Sequence, residues 1–465
     1  MRTTSASIAL LVATGLLVAC GDGIDERYDG AEPGAAVEAP TTTSTAPEEL
    51  PEFEVERFDL ELDDSRATFS GVRNIVQLDD GSWLLSGFDN HSDLSQPEPG
   101  AVWHSDDLQQ WQRIGESISE ADNQQVIDTL VAVGGTVIAA GSDYERYGPD
   151  GGGEVADAAV WISTDDGRTF DRELLSVDAS VDGAAAFGDE VWVWGFQFDD
   201  DLIGHGQIWR SVDQGATWAE MSPSAAPGPG LGVERLGPIV DIVQWGDSIV
   251  AVGIQTDTDP EGGYPLDDVA LGSPTVAWEP VDVGIWYSDD SGSSWRAAAP
   301  TGVTGERGAQ LPIDAIVVDD QLVMLGAAGQ VADPIDFTDF DPDNPDDFEF
   351  EFDADRFIPT IWVCDQALQA CAATPLHETS FDRVGGALVE ADGVVAVGVS
   401  LVDFDQSQGP DLGGWFRPST GQLEVSVLSE VEQVGALTVV DGTLYLFGRN
   451  VRGRVMTAAT TDLPD

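Results

Sequence analysis

The chain contains no lysine. Its 19 basic residues are all arginine, they stand against 85 acidic ones, and the formal charge is −66 over 465 residues. Phosphate backbones are held by clustered cations, so a nucleic-acid partner is disfavoured. Direct adhesion to anionic lipid is disfavoured for the same reason. The acidic residues are spread along the whole length, which reads as solvation in salty surroundings; attraction of a cationic partner or a divalent metal is the sharper alternative. Histidine is scarce, with 4 scattered copies, and no His or Cys cluster suggests zinc. Long apolar runs are missing too. The one near the start, Ile8 to Val18, is too short for an ordinary transmembrane helix.

What the chain has in place of these is repetition. An eight-residue pattern occurs three times: Ser163-Thr-Asp165-Asp-Gly167-Arg-Thr169-Phe170, Ser211-Val-Asp213-Gln-Gly215-Ala-Thr217-Trp218 and Ser288-Asp-Asp290-Ser-Gly292-Ser-Ser294-Trp295. A Trp lies two residues before each Ser: Trp161, Trp209 and Trp286. Ser, Thr and Asp side chains satisfy local backbone N–H groups, Gly supplies a positive φ, and the closing aromatic is expected to cover the turn. The pattern resembles the Asp-box, or BNR repeat. That resemblance implies a turn between the third and fourth strands of β-propeller blades. The family spans sialidases, other carbohydrate-active enzymes, sorting receptors and assembly factors, so it speaks to architecture more than to function.

A second unit recurs seven times: a strand, a tight turn, and an apolar strand closing on glycine, at Gly87, Gly141, Gly195, Gly253, Gly326, Gly398 and Gly448. The turns are Asp-Gly, Gly-Gly or Gly-Asp in most copies, as tight hairpins favour. Successive closing glycines lie 54, 54, 58, 73, 72 and 50 residues apart. The expected fold is therefore all-β: a seven-bladed propeller of four-stranded antiparallel blades. The last unit runs out before a fourth strand. The alternating segment Phe53 to Leu60 is expected to supply it and close the ring, leaving no open edges. A closed ring of this kind is expected to be monomeric.

Two ends of one hairpin carry Cys364 and Cys371, where the other boxes carry Ser and the aromatic. A disulfide is expected between them in an exported chain. Export is read from the N-terminus. Leu17-Val18-Ala19-Cys20 resembles the lipobox of bacterial lipoproteins, which implies cleavage before Cys20, lipidation of its thiol, and anchoring to the outer face of a bacterial cell membrane. Residues 1–19 are then a signal peptide, 20–50 the lipidated Cys and a Pro/Thr/acidic tether, and 51–465 the propeller.

Site residues are harder to read. Long connections from second to third strands gather on the face opposite the boxes, and binding is expected there. The boxes themselves are read as structural. In the fifth unit, Asp339, Asp341 and Asp343 are spaced like calcium ligands, but Asn344 and Phe350 replace the Gly and Glu of a calcium loop, so no cofactor is expected. The repeats resemble sialidases, which implies an arginine triad holding a substrate carboxylate, with a Tyr nucleophile activated by Glu. Arg73, Arg235, Arg307 and Arg383 precede first strands and are the candidates; Tyr264 and Tyr287 fall in plausible regions. No Tyr/Glu pair is evident. The reading favoured is a non-catalytic binding or scaffold module for a protein or glycan ligand on the acidic loop face, with a sialidase-like glycoside hydrolase as the alternative.

Overall fold

The computed structural model describes residues 56–59, 61–62, 68–90, 100–115, 118, 124–144, 156–198, 204–221, 238–256, 281–303, 309–330, 356–378, 380–381, 383–402, 411–428, 432–449 and 456–462. Two short strands, β1 (Glu56–Asp59) and β2 (Glu61–Leu62), lead into the repeating units. The first unit is β3 (Thr68–Gln77), β4 (Trp83–Asn90), β5 (Gly100–Ser105) and β6 (Gln110–Ile114). The second is β7 (Gln124–Val133), β8 (Thr136–Tyr144), β9 (Asp157–Ser163) and β10 (Asp171–Ser176). The third is β11 (Ala179–Phe187), β12 (Glu190–Phe198), β13 (Gly204–Ser211) and β14 (Ala219–Glu220). The fourth is β15 (Ile239–Trp245), β16 (Ser248–Thr256), β17 (Val281–Ser288) and β18 (Arg296–Ala298). The fifth is β19 (Ala309–Val318), β20 (Gln321–Gln330), β21 (Arg356–Cys364) and β22 (Cys371–Pro375). The sixth is β23 (Arg383–Ala391), β24 (Val394–Val402), β25 (Asp411–Arg417) and β26 (Gln422–Leu428). The chain ends with β27 (Glu432–Val440), β28 (Thr443–Arg449) and β29 (Met456–Asp462).

Each unit is an antiparallel meander; two-residue turns join the first two strands of the second to the last unit, and in the first the Leu78 N–H bond to the Ser82 carbonyl (2.8 Å) closes a three-residue turn. Asp392-Gly393 and Asp441-Gly442 both take positive φ at the two turn positions, the twist that matches a hairpin. The first strands pack side by side in the order β3, β7, β11, β15, β19, β23, β27, and β27 in turn packs on β3. This is a β-propeller of antiparallel blades. The expected uniformity is not met. Among the described residues six sheets are four-stranded and one is five-stranded, because β2 joins β6 in parallel, Glu61 opposite Gln110. The terminal sheet has the order β1-β29-β28-β27, with Glu56 opposite Thr460 in antiparallel register.

The cores lie between sheets. Leu84 and Val102 of the first unit pack on Leu130, Ala139 and Trp161 of the second; Val252 and Ile285 of the fourth pack on Met324 and Trp362 of the fifth. The third-strand tryptophans Trp103, Trp161, Trp362 and Trp415 are fully buried, so truncating one to Ala costs about 3–5 kcal/mol.

The three eight-residue turns are superposable in their bonding. Ser163 Oγ donates to Asp165 Oδ1 (2.8 Å) and accepts from the Gly167 N–H (2.9 Å), while Asp165 accepts from the Thr169 N–H and hydroxyl, both at 2.8 Å. Ser211 with Asp213, and Ser288 with Asp290, repeat these bonds. The aromatic does not simply cover its own turn. Trp295 donates its indole N–H to the Met221 carbonyl and meets Trp192 edge-on, both in the third unit. Gly167, Gly215 and Gly292 likewise face side chains of the preceding unit. The turns thus press each blade onto its predecessor. In the fifth unit a Cys364–Cys371 disulfide stands where the Ser and aromatic would be.

Candidate functional site

The inner strands β3, β7, β11, β15 and β19 share a kink. Each carries an extra residue relative to its second strand at the same place, Arg73, Asp128, Asp182, Val240 and Ile313, and β3 has a second at Ser70. All five bulges lie beside a closing glycine: Gly87, Gly141, Gly195, Gly253 and Gly326. A Cβ on Gly141, Gly195, Gly253 or Gly326 would drive into the carbonyl oxygen of Val126, Ser180, Pro238 or Leu311, so the glycine is what lets the bulge form. A bulge re-aims side chains, and here it brings polar groups to the innermost layer.

Those groups bind neighbouring blades to one another. Asn74 Oδ1 accepts from the Leu130 N–H (3.0 Å) on the next inner strand. Asp241 Oδ2 accepts from the Ala315 N–H (3.0 Å), and Asp314 Oδ2 from the Leu388 N–H (2.6 Å). In the third unit the corresponding residue is Gly183; the Trp194 indole occupies the place of its side chain and donates to the Val240 carbonyl (2.9 Å). Ser142 Oγ accepts from the Val181 N–H (3.2 Å). Inner-edge amides that would otherwise be orphaned are therefore satisfied from the preceding blade.

The bulged residues of the first three units form the second part of the site. Arg73 Nε lies 3.9 Å from Asp128 Oδ1, and both side chains are largely buried. Burial raises Asp128 to about 6, with Arg73 opposing the rise. Burial also raises Asp182, well above the usual carboxylate range, and the Asp128 charge adds to it. The trio is two carboxyls around one guanidinium. It can hold a proton, and Arg73 is engaged by protein carboxyls.

Among the candidate arginines, Arg73 is the one whose side chain is described. Arg235, Arg307, Tyr264, Cys20 and the Asp339, Asp341, Asp343 group lie outside the described residues. Arg383 opens β23, and its side chain lies outside them as well. Tyr287 sits beneath the Arg296 guanidinium, 5.0 Å from ring centroid to Cζ, and Arg296 is paired with Asp289. Among the described residues no group of three or more His, Cys, Asp or Glu is placed to hold a metal ion. The sequence reading missed Asp128, Asp182, Asp241 and Asp314. A signal existed: Asp241 and Asp314 each stand twelve residues before a closing glycine, Gly253 and Gly326.

The fold and inner ring define a β-propeller of antiparallel blades, and the comparisons concern that class. No family model matches the chain, and no curated protein sequence matches it. Solved structures do resemble it. An α-L-arabinofuranosidase from Fusarium graminearum has 11% identity and a TM-score of 0.42, covering 87% of this chain and 97% of its own. Trypanosoma rangeli sialidase has 12% identity and a TM-score of 0.42, covering 76% of this chain and 58% of its own. An ancestral GH74 enzyme has 12% identity and a TM-score of 0.47, covering 85% of this chain and 46% of its own. The present chain thus spans about half the length of the latter two. At such identities the likeness is one of fold.

Proposed function

We propose that the protein is a surface-anchored lipoprotein whose propeller is a non-catalytic binding scaffold. The ring would have seven Asp-box-type blades, with β1 completing the last, and would hang from Cys20 by the 20–50 tether. Its ligand is a protein segment or a glycan received on the acidic loop face. One observation carries this reading. A carboxylate-binding arginine must present its guanidinium to the substrate, whereas Arg73 is largely buried beside Asp128, with Asp182 close enough to feel both. Its charge is spent within the fold.

The alternative, a sialidase-like hydrolase, draws on Arg73, which lies within β3 and not just before the first strand, where the resemblance puts the first arginine of a triad. Titrating the full-length protein with an arginine-rich peptide and with a neutral oligosaccharide tests the scaffold. A cationic ligand should bind and weaken steeply with added salt. Sialoside hydrolysis that disappears in Arg73→Ala would overturn the scaffold in favour of the enzyme.

A further inference from the structure

Asp241 and Asp314 stand at corresponding places on β15 and β19, and one amide lies between them. The Ala315 N–H is 3.0 Å from Asp241 Oδ2 and 2.8 Å from Asp314 Oδ1. Each carboxyl uses its other oxygen as well: Asp241 Oδ1 accepts from the Ile242 N–H (2.7 Å), and Asp314 Oδ2 from the Leu388 N–H (2.6 Å). Both carboxyls therefore converge on the one Ala315 N–H. Two anions cannot converge on a single N–H in a half-buried place without repelling each other strongly, and a proton held between them relieves that repulsion.

We propose that one proton shared by Asp241 and Asp314 clasps the fourth, fifth and sixth blades at the inner ring, and that its loss loosens this seam. With the proton present, Asp241 donates to Asp314, and the Ala315 and Leu388 amides are both satisfied. Without it, one carboxylate must swing away from the other. An inner-edge amide is then orphaned, and the blade-to-blade link it made is lost. The device is a pH-responsive joint: closed in acid, relaxed toward alkaline pH.

The surroundings support it. Burial raises both carboxyls, and the Asp314 charge raises Asp241 further. The charged groups on adjoining elements are accounted for. Asp182 is on β11, which packs on β15, and lies with Asp128 and Arg73. Glu190 on β12 is paired with Arg210. Glu390 on β23 caps the Gly393 N–H at the far turn. Among the described residues no arginine shifts either carboxyl. Asn74 shows the neutral version of the same link: it accepts from Leu130 with no charge to titrate.

The test is urea unfolding of the full-length protein and of Asp241→Asn at pH 5 and pH 8. Salt near 1 M shortens the screening length to about 3 Å, which removes the general repulsion of so acidic a surface. The wild type should be less stable at pH 8, its unfolding constant rising by up to about tenfold per pH unit for the one proton. Asp241→Asn should lose the clasp's share of that dependence, because an amide keeps the acceptor and can donate to Asp314; the share of Asp128 and Asp182 remains. Asp128→Asn should retain the part due to the clasp. An undiminished dependence in Asp241→Asn would overturn the proposal. Should that variant not fold, hydrogen exchange of the wild type decides. Ala315 and Leu388 amides should lose protection between pH 5 and pH 8, after correction for intrinsic rates, while Leu130 keeps its own. Equal behaviour of the three amides would refute the clasp.

Discussion

The turn aspartates and the inner-ring aspartates are the same side chain driven in opposite directions. Asp213 and Asp290 sit in water at the eight-residue turns, and their carboxyls are held below the usual range by hydroxyl and backbone donors: Thr217 with Ser211, and Ser294 with Ser288. Asp165 is lowered in the same way by Thr169 and Ser163. Asp241 and Asp314 are half-buried, split one amide between them, and are raised by desolvation. The lesson is that donor count and solvent, not residue type, set what an acidic residue does in a chain this acidic. One set makes ionised turn caps; the other stores protons at the seams between blades.

The comparison can be broken most severely at Asp314. Asp314→Ala removes the acceptor of the Leu388 N–H and half of the acceptor pair at Ala315. A loss of about 3 kcal/mol is expected in urea denaturation. Asp314→Asn, which keeps one acceptor, should lose less. The next effect is at the turn where cysteine replaces the Asp network. Cys364→Ser with Cys371→Ser should cost about 2–3 kcal/mol by loop-closure entropy, read from the shift in denaturation midpoint.

The pH dependence comes third, and its sign follows from the direction of each shift. The inner carboxyls hold their protons more tightly folded than unfolded. Their stabilisation is complete below the unfolded value, near pH 4, and is lost as pH rises through the folded values, with Asp128 at about 6. The slope is roughly 1.4 kcal/mol per pH unit for each extra proton the folded state holds. The turn carboxyls behave in reverse. Their contribution is present above about pH 4 and is lost as pH falls through their lowered folded values. The smallest effect is a single turn: Asp213→Ala should lower the melting temperature by less than either variant above, and it should soften the acid limb without touching the alkaline one.

Much of the architecture was legible because its signals repeat. Tight turns, closing glycines and third-strand tryptophans recur in the sequence, and the structure explains why the glycines are needed: a Cβ at Gly141 or Gly326 would collide with the backbone of the inner bulge. The Cys364–Cys371 bond was legible from register alone. The parallel addition of β2 was not, since two residues carry no periodicity. Nor was the pressing of Trp295 onto Trp192, which depends on how blades stack. The inner aspartates were hidden for a different reason. Asp241 and Asp314 are single acids among 85, and their role comes from amides on other blades, 74 residues away in sequence.

The most direct measurement is the stability of the full-length protein against pH, from about pH 3 to pH 9 in high salt, for the wild type and for the Asp241→Asn, Asp314→Asn double variant. The account predicts a dome for the wild type, falling on the acid side as the turn carboxyls protonate and on the alkaline side as the inner pair ionises. The double variant should keep the acid limb and lose the pair's share of the alkaline one, leaving the share of Asp128 and Asp182. Identical alkaline limbs in the two proteins would contradict the claim that location has set these aspartates apart.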